Sequence, residues 1–377
     1  MKAPVNRKAV ALLSGGLDST LAVRMMIDQG VEVTAVHFTS VFCNCTPKKA
    51  GCRLQARKIA EEFAIPIQVI HKGMDYIRMV ERPPHGHGSG MNPCIDCRIY
   101  MLRKVKEMMP RLEASFVITG EVLGQRPMSQ HRNTLRLIER ESGLEDLILR
   151  PLSAHHFDPT FPEREGIVNR EKLLAMSGRS RKPQMEMARK LDIRDYPCPA
   201  GGCLLTDKEI AARLHDLFTH VPDYDMVDLH FLKLGRHFRL NPALKVIVGR
   251  DHEDNEKIMM LAKPGSILYT PSGFRGPTAV IRGTTDKHSE MAIGRIIARY
   301  SQDQHPEYHV RKSVVGGNDS VFVIKERFPA DTLDACRIWD RYKNNIDINI
   351  TAQKLDLHDK KTVLSFRSHR ENQPSSE

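Results

Sequence analysis

No apolar stretch in this 377-residue sequence approaches the length of a membrane-spanning helix, which speaks against a membrane partner. The amino terminus carries basic residues but runs directly into a strand-like segment. It lacks the apolar core and cleavage site of a signal peptide, so a cytoplasmic location is expected. No internal repeat is present. The one Gly-rich turn that follows an apolar run, Ser14-Gly15-Gly16-Leu17-Asp18-Ser19-Thr20, has no lysine after its glycines, which excludes a Walker loop. With a reducing compartment expected, the eight cysteines imply metal or sulfur chemistry rather than a disulfide framework.

The chain exceeds the usual size of one domain, and its hydrophobic fraction of 41% is ample for more than one core. Its net charge of +11 suits a polyanionic partner such as nucleic acid, although a basic enzyme without one has the same balance.

The Gly-rich turn is the most informative segment. Ala9–Leu13 reads as a strand and Leu21–Asp28 as a helix, so the turn aims backbone N–H groups and the positive end of a helix at an anion. Gly15 and Gly16 are expected to take positive φ and let a ligand approach, and Ser14, Ser19 and Thr20 to add hydroxyl donors. Ser-Gly-Gly-x-Asp-Ser looks like the pyrophosphate loop of enzymes that cleave ATP between the α and β phosphates.

The first 150 residues alternate strands and helices: strands at Val31–Phe38, Pro66–Ile70, Ser115–Thr119 and Leu147–Leu149, helical faces at Ala56–Phe63 and Met128–Ile138. This predicts an α/β domain, a parallel sheet with helices on both faces, whose ligands sit beyond the strands' carboxyl ends. The loop lies at such an end, as do His37-Phe38 and Thr119-Gly120-Glu121, making His37, Phe38 and Gly120 candidate ATP contacts. The expected domains are 1–214, with a cysteine-bearing segment at 151–206, then an α+β module at 215–310, and a small extension at 311–377. Within them, helical pieces are expected at Arg170–Met176, Arg181–Leu191, Asp251–Leu261, Ser289–Arg299 and Ala330–Tyr342. Strands are expected at Leu229–Leu234, Leu244–Val248, Ser266–Tyr269, Thr278–Ile281 and Ser320–Lys325, and a disordered tail at Glu371–Glu377.

Asn92-Pro93-Cys94-Ile95-Asp96-Cys97 opens a predicted helix with Asn92 as cap and Pro93 as first residue. At a helix amino terminus both thiols are expected to be acidified. Such a pair serves a redox dithiol, half of a zinc site, or part of an iron–sulfur site. Zinc asks for four ligands. Of the two cysteines that follow before the carboxy-terminal half, Cys198 lies between prolines, whereas Cys203 follows Gly201-Gly202 and sits on pliable backbone. Cys94, Cys97 and Cys203 would leave one iron of a four-iron cluster open; three buried thiols without metal are the plain alternative. Cys43, Cys45 and Cys52 form a second group that could bind metal or carry a persulfide but reads rather as incidental thiols of a variable loop; Cys336 reads as a core residue, and the segment holding His85 and His87 as a mobile lid rather than a metal site, with nothing rigid to hold the imidazoles.

These residues resemble a family. Ser14–Ser19, Thr119-Gly120-Glu121-Val122-Leu123-Gly124-Gln125 with Ser129-Gln130, and Leu149-Arg150-Pro151-Leu152 look like the catalytic domain of tRNA 4-thiouridine synthetases, over about residues 8–210. Asn92-Pro93-Cys94-x-x-Cys97 is also similar to tRNA 2-thiouridylases, and the set Cys94, Cys97, Cys203 to iron–sulfur-dependent tRNA thiolases. The region near 216–300 resembles an RNA-binding module of ribosome-quality-control proteins. The resemblance implies an ATP-dependent tRNA sulfurtransferase with ATP, Mg²⁺ and a [4Fe-4S] cluster. Asp18, Cys94, Cys97 and Cys203 would be catalytic. Ser14, Gly15, Gly16, Leu17, Ser19, Thr20 and Gln125 would join His37, Phe38 and Gly120 at the nucleotide. Expected partners are tRNA, a sulfide or persulfide donor, and a second copy of the chain.

With the loop beginning at residue 14, no room is expected for the RNA-binding domain that usually precedes the synthetase, and no carboxy-terminal rhodanese-like segment is recognisable. Arg126, Arg132, Arg136, Arg179, Arg181, Lys182 and the carboxy-terminal module are therefore candidates to hold tRNA. A 2-thiouridine synthase, a pyrophosphate-loop ligase or amidotransferase, and a non-catalytic RNA-binding protein are the competing readings.

Overall fold

A computed structural model describes residues 6–43, 52–194, 196 and 203–344, which divide into two compact units, residues 1–211 and 212–377. In the first, β1 (Lys8–Leu12), β2 (Glu32–Thr39), β3 (Ile67–His71), β4 (Phe116–Ile118) and β5 (Ile148–Leu149) form a parallel sheet in the order β3-β2-β1-β4-β5. The helices are α1 (Leu17–Ile27), α2 (Cys52–Glu62), α3 (Met74–Glu81), α4 (Cys94–Met108), α5 (Arg132–Ser142), α6 (Phe161–Arg164) and α7 (Lys182–Lys190).

The period of two in β1 explains why both faces are covered. Ala9, Ala11 and Leu13 pack into one core with Leu17, Leu21 and Ala188, while Val10 and Leu12 pack into another with Ile99, Leu102 and Ile138. The order reverses between β1 and β4, and the loops leaving those strands meet at the crevice where doubly wound sheets bind ligands. The α/β expectation holds. The segment at Arg170–Met176 is helical only as a single turn over Arg170–Lys172.

The unit boundary falls inside α8 (Lys208–His220). The second unit contains α9 (Met226–Phe231), β6 (Arg236–Asn241), β7 (Leu244–Val248), α10 (His252–Leu261), β8 (Ile267–Ser272), β9 (Ala279–Gly283), α11 (Lys287–Arg299), β10 (Tyr308–Val314), β11 (Asp319–Ile324), α12 (Ala330–Cys336) and α13 (Ile338–Asn344). Its antiparallel sheet runs β11-β10-β8-β9-β7-β6. A boundary at residue 310 would cut β10, which pairs with β8 and β11 along its length.

Leu229–Leu234 is not a strand. Asp225 caps α9 by accepting from Val227 N–H and Asp228 N–H, and the segment enters helix. The predicted helix at Ala330–Tyr342 is two helices, interrupted where extended Arg337 pairs with Phe238 of β6. β6 itself escapes a hydrophobicity reading because its buried residues include His237 and Arg239. Buried Asp216 of α8 accepts from Arg239 Nε and Nη2 at 2.9 and 2.7 Å and lies 3.0 Å from Lys245 Nζ. Burial alone would raise the Asp216 carboxyl, but the Lys245 and Arg239 charges hold it far below the usual carboxylate range. Cys336 is a core residue, as expected.

Candidate active site

The Gly-rich turn after β1 leads directly into α1. Gly15 takes the left-handed conformation, φ 79°, whereas Gly16 is the extended amino-terminal cap of α1. The hydroxyls are turned inward to shape the loop: Ser19 Oγ donates to Gly16 O at 2.8 Å and lies 3.0 Å from Ser14 Oγ, and Thr20 Oγ1 donates to Gly16 O at 3.0 Å. Ser19 and Thr20 are buried, so their hydroxyls are used as loop braces rather than as free donors to a ligand; Ser14 is exposed.

The loop after β4 closes on this turn. A Cβ on Gly120 would lie 2.5 Å from backbone atoms of Asp18 and Ser19, so only glycine lets the two segments meet. Gln125 Nε2 donates to Asp18 Oδ2 at 3.0 Å, while Asp18 Oδ1 and Gln125 Oε1 are buried with no hydrogen-bond partner. Two buried acceptors side by side call for a cation or a donor ligand. His37 is almost fully buried, with Nδ1 2.8 Å from Leu13 O at the end of β1, so it supports the strand from which the loop departs. Phe38 packs with Val10, Leu12 and Val36 in the second core.

Glu121, one residue on, is the hub of a buried ion network. Its carboxylate accepts from Arg150 Nε at 3.0 Å and Thr119 Oγ1 at 3.1 Å, and Arg98 Nε is 3.2 Å away; Arg150 also pairs with Glu139. Burial works against this carboxylate, and the Arg98 and Arg150 charges hold it below its ordinary range. Arg98 follows Cys97 on α4, so the network fastens the cysteine helix to the loop that touches Asp18.

α4 begins at Cys94 with Pro93 as its cap; Asn92 does not cap it but donates from Nδ2 to Cys94 Sγ at 3.0 Å. The expected acidification of Cys94 is overturned. Burial pushes its thiol up, with the Asn92 hydrogen bond opposing, and burial likewise pushes the Cys203 thiol up to about 11. Cys97 Sγ has two donors around it, Lys72 Nζ at 3.2 Å and the Tyr76 hydroxyl at 3.5 Å, both from almost fully buried residues. Lys72 Nζ also lies 4.4 Å from the centre of the Tyr76 ring. Neighbouring pairs of thiols interact electrostatically, Cys94 with Cys97, Cys97 with Cys203, and Cys203 with Cys43. None of the four is in a disulfide.

Lys72 and Tyr76 carry no motif that marks them in the sequence. Their signal was positional, since Lys72 immediately follows β3 and so sits at the carboxyl edge of the sheet. Cys43, in a loop by sequence, forms an isolated antiparallel bridge with Cys203. The histidine segment is also held more firmly than expected. His85 Nδ1 lies 2.8 Å from Asp96 Oδ1 and its Nε2 3.1 Å from Glu141 Oε1, and His87 Nε2 lies 2.7 Å from Val80 O. Cys45 and Cys198 lie outside the described residues. Arg126, Arg132, Arg136, Arg179 and Lys182 are exposed, with Arg132 over the Phe157 ring and Arg136 3.7 Å from Asp158; Arg181 is half-buried. No helix among the described residues is long and apolar enough to cross a membrane.

Comparison with known proteins places matches on both units. Residues 4–158 match the family model for thiamine biosynthesis protein (ThiI), and residues 235–325 that for the NFACT protein RNA binding domain. A protein of Methanosarcina acetivorans named "Probable tRNA sulfurtransferase" is 32% identical over 124 residues, 31% of this chain and 28% of that protein. The tRNA-specific 2-thiouridylase MnmA of Symbiobacterium thermophilum is 29% identical over 139 residues, 32% of this chain and 35% of its own length. This chain thus spans about a third of the length of these curated relatives. Among solved structures, a 4-thiouridine synthetase–RNA complex with bound ATP aligns at 23% identity and a TM-score of 0.33, covering 60% of this chain and 52% of that one. The chain is thus similar to the ThiI family model over part of its first unit and to the NFACT RNA binding domain model over part of its second.

Proposed function

We propose that the chain is an ATP-dependent tRNA sulfurtransferase that adenylates a uridine carbonyl and replaces its oxygen with sulfur, of the 4-thiouridine type. The observation that carries this reading is the fastening of a pyrophosphate loop and a group of thiols to one sheet edge by the Arg98–Glu121–Arg150 network. An ammonia-using ligase has no use for those thiols, and a non-catalytic RNA binder has none for the loop.

ATP, with Mg²⁺ on its phosphates, seats its pyrophosphate against the backbone N–H groups at the start of α1. Asp18, whose Oδ2 accepts from Gln125, would meet the Mg²⁺ rather than the phosphate charge. The uridine oxygen attacks the α-phosphorus, pyrophosphate leaves, and sulfur then displaces AMP from the activated carbon. tRNA is held by the NFACT-type domain together with Arg126, Arg132, Arg179, Arg181 and Lys182.

Among the described residues no three His, Cys, Asp or Glu side chains converge as a single metal ion demands. A four-iron cluster, in contrast, spreads its cysteine ligands over separate irons and does not ask them to meet at one point. Cys94, Cys97 and Cys203 would hold such a cluster, which supplies an open iron for sulfide. Lys72 and Tyr76 hold the Cys97 sulfur in place. Nucleoside mass spectrometry of tRNA from a deletion strain tests the proposal: loss of 4-thiouridine is expected, loss of 2-thiouridine would move the assignment to the 2-thiouridylases, and an unchanged thionucleoside content would overturn it.

A further inference from the structure

We propose that Cys43 is the redox partner of Cys203, closing with it into a disulfide that withdraws Cys203 from the sulfur site. The significance of that closure rests on the function proposed above; the closure itself does not. Cys43 and Cys203 face each other across an isolated antiparallel bridge. The bridge is held by Leu204 N–H donating to Phe42 O at 2.9 Å, a bond between the residues flanking the pair. That pattern makes Cys43 and Cys203 a non-hydrogen-bonded pair, whose Cα atoms stand about 4.5 Å apart with both side chains on one face. The spacing falls at the short end of the range of about 4.4–6.8 Å that disulfides span.

The surroundings agree. The two thiols interact electrostatically, and both act on the Tyr76 hydroxyl, as does Cys97. Ser40 anchors Cys43, its N–H lying 3.2 Å from Cys43 Sγ, so the thiol is placed rather than loose. On the other side, Met91 N–H donates to Leu205 O at 2.9 Å, tying the Cys203 segment to the chain just before α4.

The reaction is a thiol–disulfide exchange with a low-molecular-weight disulfide as oxidant. One cysteine thiolate attacks it and releases one thiol, and the second cysteine then attacks the mixed disulfide. The S–S bond between Cys43 and Cys203 forms, both cysteines are oxidised, and two molecules of small thiol leave carrying the two electrons and two protons. A dithiol reverses the change.

The test treats full-length, iron-free protein with glutathione disulfide, alkylates the remaining thiols, and maps non-reduced peptides by mass spectrometry. The expected product is a Cys43–Cys203 linked peptide that dithiothreitol removes, with Cys203 protected from alkylation. In Cys43→Ser, Cys203 should enter no intramolecular bridge after the same treatment and should be found free or as its glutathione mixed disulfide. A bridge from Cys203 to Cys94, Cys97 or Cys198 instead, or no bridge at all, would overturn the pairing. Bridged protein that, after the same iron loading, thiolates tRNA as fast as reduced protein would overturn the withdrawal of Cys203 while leaving the pair. A bridge in a protein that, once reduced and loaded with iron and sulfide, thiolates nothing would sustain the pair and overturn the sulfurtransferase reading.

Discussion

Gly120→Ala should disable the nucleotide site through one added methyl group. The new Cβ would lie 2.5 Å from the Asp18 carbonyl carbon and the Ser19 nitrogen, and 2.6 Å from the Asp18 carbonyl oxygen. Ordinary carbon contacts stand at about 3.5–4.0 Å, so the segments must part by about 1 Å. Every clashing atom is backbone, and no rotamer change relieves the contact. Over-packing of this kind costs about 1–3 kcal/mol. The larger effect is on geometry, because the retreating loop carries Gln125, the donor to Asp18. A misplacement of about 1 Å at reacting groups costs on the order of 10²-fold in rate. Pyrophosphate release in the presence of tRNA should fall by about that factor, with a modest loss in unfolding midpoint. A variant with wild-type release and an unchanged midpoint would refute the close approach of the two loops.

Asp216→Ala should destabilise the second unit by about 3–5 kcal/mol, read by denaturant unfolding, because it strands two buried cations; a loss well under 1 kcal/mol would contradict the network. His85 is raised above its ordinary 6.5 by its hydrogen bond to Asp96, so its stabilisation is fully present below that value and fades as pH rises through the raised one. The difference in unfolding midpoint between wild type and His85→Asn should accordingly be larger at pH 6 than at pH 9, and an equal difference at both would count against the clamp. Ending the chain after His220 should weaken tRNA binding and reduce the slope of log K against log[salt] by about one for each lost phosphate contact; an unchanged slope would move the RNA surface to the first unit. Anaerobically iron-loaded protein should be brown, with about four irons per chain. Cys203→Ala should lose the colour and Cys198→Ala keep it, and the opposite result would reassign the third ligand.

Much of the first unit is legible in sequence because its signals are local. The apolar run Ala9–Leu13, the glycines at the turn, and the helical spacing behind them each act within a few residues. The cysteine helix is equally plain, but the state of its thiols is not. A helix amino terminus acidifies a thiol, burial opposes it, and burial depends on chain that arrives from far away: Lys72, Tyr76 and the Cys203 segment. The same holds for Glu121, whose partners Arg98 and Arg150 come from either side of it in sequence. In the second unit, β6 hides behind buried His237 and Arg239, polar residues whose partners lie on α8 or in the turn before the strand. Cys43 was misread for a related reason, since a bridge between residues 43 and 203 has no local signature.

The most direct test of the central claim is nucleoside analysis of unmodified tRNA incubated with the purified, iron-loaded protein, sulfide and ATP. Thiouridine should form only when ATP is present, with AMP and pyrophosphate released in step with it, and Asp18→Ala should abolish all three. Pyrophosphate release without any thionucleoside would contradict the account, leaving a nucleotide-activating enzyme whose acceptor is not tRNA.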